Sequence, residues 1–361
     1  MTEHRQATVF DVAKEAGVST ATVSNVLNRR NVPLSKETIR KVEEAAARLG
    51  YRRNGMAASL SQRKTYELGL LLPSLFGYYG LFAEQMERTA YAYGYHLSVF
   101  STDMDSKIER RLLEKLLERR VDGVFSHGLA MSSDSVRKIV NDGTPILFFN
   151  CWNEAKDMAI GTVNLNVYQA TLDAVVHLRS QGCRSIYYYG YRKAFATNEQ
   201  RKMGFCDGLR LVGEGLRSGM IDADDLPPES LPGWLAEQSA GAEPAGVVCF
   251  DDWKAFVCLN RLMEHGYAVP GRFKVVGINN EFIAEHSYPG LSSFSIPYEL
   301  HADISFRWML THLGEQAKLA ADGEADFPPP QSGGVLKIPL TLVERLSSAR
   351  SDSGAIVAVQ G

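Results

Sequence analysis

Between residues 7 and 62 this chain places small polar residues where a helical core needs apolar ones. Turned at about 100° per residue, the α-helical angle, the segment from Thr20 gathers Val23, Val26 and Leu27 into one narrow stripe. Thr20, Ala21, Thr22, Ser24, Asn25 and Asn28 cover the remaining surface. Ser19 is placed to cap this helix through its hydroxyl, and Gly17 tolerates the positive φ of a tight turn just before it. The preceding helix, about Val9 to Ala16, has Thr8 as its cap and turns Val9, Val12, Ala13 and Ala16 inward. A third helix from Ser35 carries Ile39, Val42, Ala46 and Leu49 on one face and stops at Gly50, an αL cap. Two helices joined by so short a turn are helix-turn-helix syntax.

Spacing alone also admits an ordinary helical subdomain without a ligand, and charge separates the two readings. Residues 1–64 hold twelve basic side chains against six acidic ones, whereas the rest of the chain holds 27 against 36. The formal net charge of −3 therefore conceals a basic end, the electrostatic footprint of phosphate binding.

DVAKEAGVSTATVSNVLN, continued by Leu34 to Asn54, resembles the DNA-reading signature of the lactose/galactose repressor (LacI/GalR) family of bacterial transcription regulators. The resemblance implies that Thr20, Ala21 and Asn25 read base edges in the major groove. Thr22 and Ser24 then contact phosphates, which set register without reading sequence, and Asn28 lies on the same polar face. Asn25 stands where the family most often has Arg. An Asn amide pairs bidentately with adenine, whereas Arg favours guanine. Residues Asn54 to Gln62 are similar to the family's hinge, a short helix that forms on DNA and inserts a leucine into the minor groove. Leu60 matches that wedge, Ala57 the small residue between paired hinges, and Arg53 replaces a usual Pro. Gly55 and the brevity of the segment make such a helix marginal without DNA. The alternative for Leu60 is the first core residue of the next domain.

From Tyr66 onward short apolar strands alternate with helical stretches, which predicts right-handed βαβ units and parallel sheets covered on both faces. Strand candidates are 68–72, 96–100, 123–126, 145–150, 162–163, 185–189, 246–250, 274–277 and 292–296. Helices fall near 81–93, 107–119, 132–142, 167–181, 198–212, 253–265 and 299–319. The rhythm restarts around Thr162, so two similar lobes are expected. This region is similar to the family's regulatory core, a periplasmic-binding-protein-like α/β pair of lobes with an effector between them. The domain expectation is a helix-turn-helix domain at 1–52, a hinge and linker at 53–65, and a core at 66–346. Lobe 1 takes about 66–161 and 297–325, lobe 2 about 162–296 and 326–346, with a closing strand from Val335 to Val343. A polar, aperiodic tail at 347–361 reads as disordered.

Ligands of open α/β sheets sit beyond the carboxyl ends of the strands. Asn150 ends PILFFN, Asp251 ends GVVCFD and Asn279 ends KVVGIN. Arg201, three residues before Gly204, matches the arginine that grips the effector in sugar-responsive members. A guanidinium fork and a carboxylate satisfy vicinal hydroxyls bidentately, and Tyr78, Tyr79, Trp152 and Trp253 offer faces for stacking. Each has a plainer alternative: helix capping for the strand-end residues, a surface ion pair for Arg201, packing for the aromatics. SLFGYYG departs from the family's Asn-Pro-Phe-like segment, and Ile296 replaces a position often polar.

Other classes fit less well. No G-x-S-x-G, Walker A, G-x-G-x-x-G or H-E-x-x-H motif occurs, so no enzyme is expected, nor any cofactor or metal. The eight histidines lack ligand spacing, and the five scattered cysteines read as reduced thiols. With no apolar run for a membrane span and no signal-peptide pattern, the expected location is cytoplasmic, and an exported solute-binding protein is disfavoured. No C-terminal leucine heptad appears, so a homodimer is expected. The expected partners are a pseudo-palindromic double-stranded DNA operator and a small effector. The resemblance implies a repressor of a carbohydrate-utilisation operon answering a sugar, with a purine-responsive regulator as the second reading.

Overall fold

A computed structural model of the chain describes residues 7–27, 32–51, 64–128, 133–152, 158–191, 196–319 and 333–349. Two compact units divide at residue 65.

The first unit packs α1 (Val9–Ala16), α2 (Thr20–Leu27) and α3 (Lys36–Arg48) around Val12, Ala13, Val23, Val26, Val42, Ala45 and Ala46. Thr8 begins α1 with a capping box: Asp11 Oδ2 accepts from Thr8 N–H at 2.7 Å while the Thr8 hydroxyl accepts from Asp11 N–H. Gly17 ends it at φ 67°, where a Cβ would be strained, and the chain turns directly into α2. Ser19 Oγ accepts from Thr22 N–H at 3.1 Å, and Ser35 Oγ does the same for Thr38. One core expectation is corrected. Leu49 is exposed, because α3 ends at Arg48 and Leu49 caps it, and Ala45 fills the core in its place.

In the second unit, β1 (Glu67–Leu72), β2 (His96–Ser101), β3 (Gly123–Ser126), β4 (Ile146–Phe149), β5 (Gly161–Leu165) and β11 (Val335–Ile338) form one parallel sheet in the order β11-β5-β4-β3-β1-β2. The helices associated with it are α4 (Tyr78–Ala92), α5 (Ser106–Glu118), α6 (Ser133–Asn141) and α12 (Tyr298–His312). A second sheet, in the order β12-β10-β9-β8-β6-β7, holds β6 (Ser185–Gly190), β7 (Arg217–Asp222), β8 (Ala245–Cys249), β9 (Phe273–Asn279) and β10 (Ser292–Ser295) in parallel, with β12 (Thr341–Val343) antiparallel at its edge. Its helices include α7 (Val167–Ser180), α8 (Ala196–Leu211), α9 (Leu231–Gln238), α10 (Asp252–Glu264) and the short α11 (Phe282–His286). Central strands are buried on both faces and read as continuous apolar runs, as LGLLL and VVGI do.

The lobe boundaries need correction. Strand β5, expected to open lobe 2, pairs with β4 in the first sheet, and the chain crosses only at 165–167. The expected single strand 335–343 is two, because Pro339 offers no N–H to a ladder. Its first half joins the first sheet and its second half the other. The helix expected over 299–319 breaks at Gly314 into α12 and α13 (Gln316–Leu319). The tail expected to be disordered from 347 is ordered at its start. Ser347 and Ser348 are fully buried, with Ser347 Oγ donating to Val275 O at 2.6 Å and accepting from Ser292 N–H at 2.8 Å.

Candidate functional site

On α2 the side chains of Val23 and Val26 face the core, which leaves Ala21 exposed and Thr20, Thr22, Ser24 and Asn25 half-buried. The Ser19 and Thr22 hydroxyls lie 2.9 Å apart and fix the first turn. Asn28, Asn54, Ala57 and Leu60, with Arg53 and Gly55, lie outside the described residues.

In the second unit, the carboxyl ends of both sheets and the crossovers enclose a cavity of about 460 Å³. Seven of the eight residues singled out for it line it: Tyr78, Tyr79, Asn150, Arg201, Asp251, Trp253 and Asn279. Trp152 is not among its lining residues. Leu165, Val167 and Ile296, at the crossovers, form apolar floor.

Asn150 follows β4 at φ 49°, in the left-handed region that Asn tolerates. It is no helix cap. Its Nδ2 donates to the Tyr78 hydroxyl at 2.9 Å, and its Oδ1 accepts from Leu165 N–H at 2.8 Å, so it fastens a cavity tyrosine to the crossover. Tyr79 hydroxyl pairs with His127 Nε2 at 3.1 Å, and Tyr78 hydroxyl lies 3.4 Å from His301 Nδ1. Burial drives the pKa of His127 down to about 3 and of His301 to about 4, so both are neutral near pH 7.

Arg201 is held by the close approach of α7 and α8. A Cβ on Gly204 would stand 2.1 Å from Tyr168 O, so only glycine lets α8 lie this near. Arg201 is no surface ion pair: it is 6% exposed and has no carboxylate within ion-pair distance among the described residues. Its guanidinium lies 4.2 Å over the Phe250 ring, Nη1 donates to Thr197 O at 3.3 Å, and Nε has no hydrogen-bond partner among the described residues. Burial lowers its pKa. A buried donor left unmatched costs free energy unless something enters to accept from it.

Asp251 serves both roles weighed for it, lining the cavity while its Oδ1 caps α10 through Lys254 N–H at 2.8 Å. Burial raises its pKa, opposed by the Lys254 N–H bond and by Arg201 and Lys254. Behind it Asp252 is fully buried, accepts from Ser293 Oγ at 2.5 Å and from Glu281 N–H at 2.7 Å, and is pushed by burial up to about 7. Asn279 Nδ2 donates to Glu281 Oε1 at 2.7 Å. Glu281 in turn reaches across the cleft, its carboxylate lying beside Gly77 at the start of α4. A second-lobe carboxylate thus stands at the N-terminus of a first-lobe helix, where the helix dipole favours it.

Phe76, His127, Tyr191, Phe250 and Glu281 line the cavity without having been singled out from sequence. His127 follows β3 and Tyr191 follows β6, so the strand-end rule would have found both. Among the described residues no cluster of three or more His, Cys, Asp or Glu is placed to hold a metal, and no helix is long and apolar enough to cross a membrane.

Two family models match the chain. One, described as bacterial regulatory proteins of the lacI family, covers residues 8–54, and the other, a periplasmic binding protein-like domain, covers residues 175–348. Catabolite control protein A of Staphylococcus epidermidis is 28% identical over 323 residues, spanning 86% of this chain and 93% of its own. Among solved structures, the Lac repressor dimer bound to operator and the anti-inducer ONPF superposes with a TM-score of 0.77 at 21% identity, covering 96% of this chain and 100% of that one. The transcriptional regulator CelR in complex with cellobiose gives a TM-score of 0.62 at 20% identity, covering 95% and 100%. At such identities the structural likeness speaks for the fold.

Proposed function

Because the chain belongs to the LacI/GalR family of bacterial transcription regulators and is not an enzyme, we propose that it represses carbohydrate-utilisation genes under control of a small sugar held between the lobes. The observation that carries this reading is Arg201, a buried guanidinium with an unmatched Nε, converging with Asp251, Asn150 and Tyr78 on one cavity beside aromatic faces. Such a set matches paired hydroxyls on an apolar ring better than it matches any reaction centre.

Acting as a cytoplasmic homodimer, the protein reads a pseudo-palindromic operator through two copies of α2, with Thr20, Ala21 and Asn25 on base edges, Thr22 and Ser24 on phosphates, and Asn28 on the same DNA-facing side. The hinge residues Asn54, Ala57 and Leu60 add a minor-groove wedge. An effector touching both lobes binds their arrangements unequally; where the operator also distinguishes those arrangements, effector changes operator affinity by the same factor by which operator changes effector affinity.

The test is selection of DNA sites by the full chain from random duplexes, followed by titration of the selected operator with neutral sugars and with purines. The expected result is a two-fold-symmetric site whose affinity changes with a sugar. A chain that shows no sequence preference overturns the regulator reading, and a response confined to purines overturns the carbohydrate one.

A further inference from the structure

The cavity divides by burial into two unlike ends. At the deep end Asn150 and Arg201 are 5% and 6% exposed, and their polar atoms lie among Tyr78, Tyr79 and Asp251. At the other end stand Phe76 and Trp253, 68% and 47% exposed, large aromatic side chains that a folded chain ordinarily covers. They belong to different lobes, Phe76 to the loop before α4 and Trp253 to the first turn of α10. Their rings meet edge to face with centroids 6.0 Å apart. Both line the same cavity as Arg201.

Size speaks to the same point. Taking about 30 Å³ per water and roughly half that for each covalently bonded heavy atom, a hexose of twelve such atoms occupies on the order of 180 Å³. The cavity of about 460 Å³ is larger than one ring needs, and it continues from the Arg201 end to Phe76 and Trp253. Charge narrows the choice again. Among the described residues, Asp224, Asp251 and Glu281 line the cavity against one lining cation, Arg201, and the nearby Lys254 is engaged over Tyr191 at 4.5 Å. A ligand carrying phosphate or carboxylate would meet net repulsion.

Resting on the carbohydrate reading above, we infer that the effector is a neutral oligosaccharide of at least two hexose rings. One ring is hydrogen-bonded at the Arg201 end, and the next has its C–H face against the Phe76 and Trp253 pair. Aromatic faces cover the apolar side of a sugar ring without asking for hydrogen bonds. The second ring also bridges the lobes, because its two aromatic neighbours come from different ones.

Isothermal titration of the full chain with cellobiose, maltose, lactose and melibiose, each beside its constituent monosaccharides, tests the inference. At least one disaccharide is expected to bind tenfold or more tightly than either of its monosaccharides. Trp253→Ala, at a site too exposed to threaten folding, is expected to shrink that preference below threefold, and Phe76→Ala to act in the same direction. A monosaccharide that binds as tightly as its disaccharides overturns the second ring while leaving the carbohydrate reading intact. So does an aryl monoglycoside that matches the best disaccharide, because the mouth then takes any apolar group. Equal binding of that disaccharide's 6-phosphate overturns neutrality. Binding of purines with no binding of any sugar overturns this inference and the carbohydrate reading together.

Discussion

Replacing Arg201 with methionine separates a binding role from a structural one, because the two predict opposite changes in the ligand-free protein. In the free chain the guanidinium gains a cation–π contact at 4.2 Å over Phe250, worth up to about 2 kcal/mol when desolvated. It gains one hydrogen bond to Thr197 O at 3.3 Å, worth about 1 kcal/mol. Against these stands the desolvation of an ion that no carboxylate pairs, several kcal/mol in effective terms. Methionine keeps the stem volume and offers its sulfur to the same Phe250 ring. The variant should therefore be within about 1 kcal/mol of the parent or more stable, a melting shift downward of no more than ~2 °C. With effector present the balance reverses. Losing even one charge-assisted hydrogen bond, worth about 1.5–3 kcal/mol, raises Kd by roughly 10- to 150-fold. Differential scanning calorimetry and titration calorimetry on the same preparation read both quantities, with operator affinity in the absence of effector as the fold control. A ligand-free loss beyond about 2 kcal/mol, or an unchanged Kd, would refute the assignment.

Glu281→Ala removes the carboxylate that stands at the N-terminus of α4 from the opposite lobe, an effect of about 0.3–1 kcal/mol on lobe closure; small-angle scattering should show a larger radius of gyration, and an unchanged profile would sink the idea. His127 and His301, at about 3 and 4 when folded against an ordinary 6.5, take up protons first in the unfolded chain, so stability falls as pH drops from 6.5 toward 4. Asp252, held up to about 7 from 3.8, has the opposite sign over that window, so Asp252→Asn should steepen the acid loss by about 1.4 kcal/mol per pH unit near pH 5.5 in urea titrations. Val23→Ala, fully buried in the small first unit, should cost about 2 kcal/mol and abolish operator binding while effector affinity, measured by calorimetry, stays as it was. Asn25→Arg should move the preferred base at one operator position from adenine toward guanine in a binding-site selection.

Local chemistry made the first unit legible. Thr8, Ser19 and Ser35 each precede an apolar stripe, and each accepts the backbone N–H that its position predicts. The core strands announced themselves because burial on both faces demands continuous apolar runs. Strand β7 did not, since RSGMID lies at a sheet edge, half exposed and interrupted by Gly219. Helix α9 escaped for a related reason: eight residues with Pro232 in the first turn give too short a stripe to show a period.

The split of 335–343 between two sheets shows where sequence reading stops. Val335–Ile338 and Thr341–Val343 have the same local preference, and what separates them is which sheet edge each one meets, a fact fixed by strands over 150 residues away for β5. The cleft obeys the same rule. Asn150, Asp251 and Asn279 could be named because a strand end is a local feature that topology turns into a site. Glu281 and Phe76 could not, because each acquires its role only when the other lobe arrives, Glu281 at the start of α4 beside Gly77 and Phe76 at Trp253. Residues that sense closure are therefore the ones local pattern hides. It follows that effector specificity and its transmission to the DNA-reading helix should be sought first among these cross-cleft pairs, where a ligand can gain contacts in one lobe arrangement that it lacks in the other.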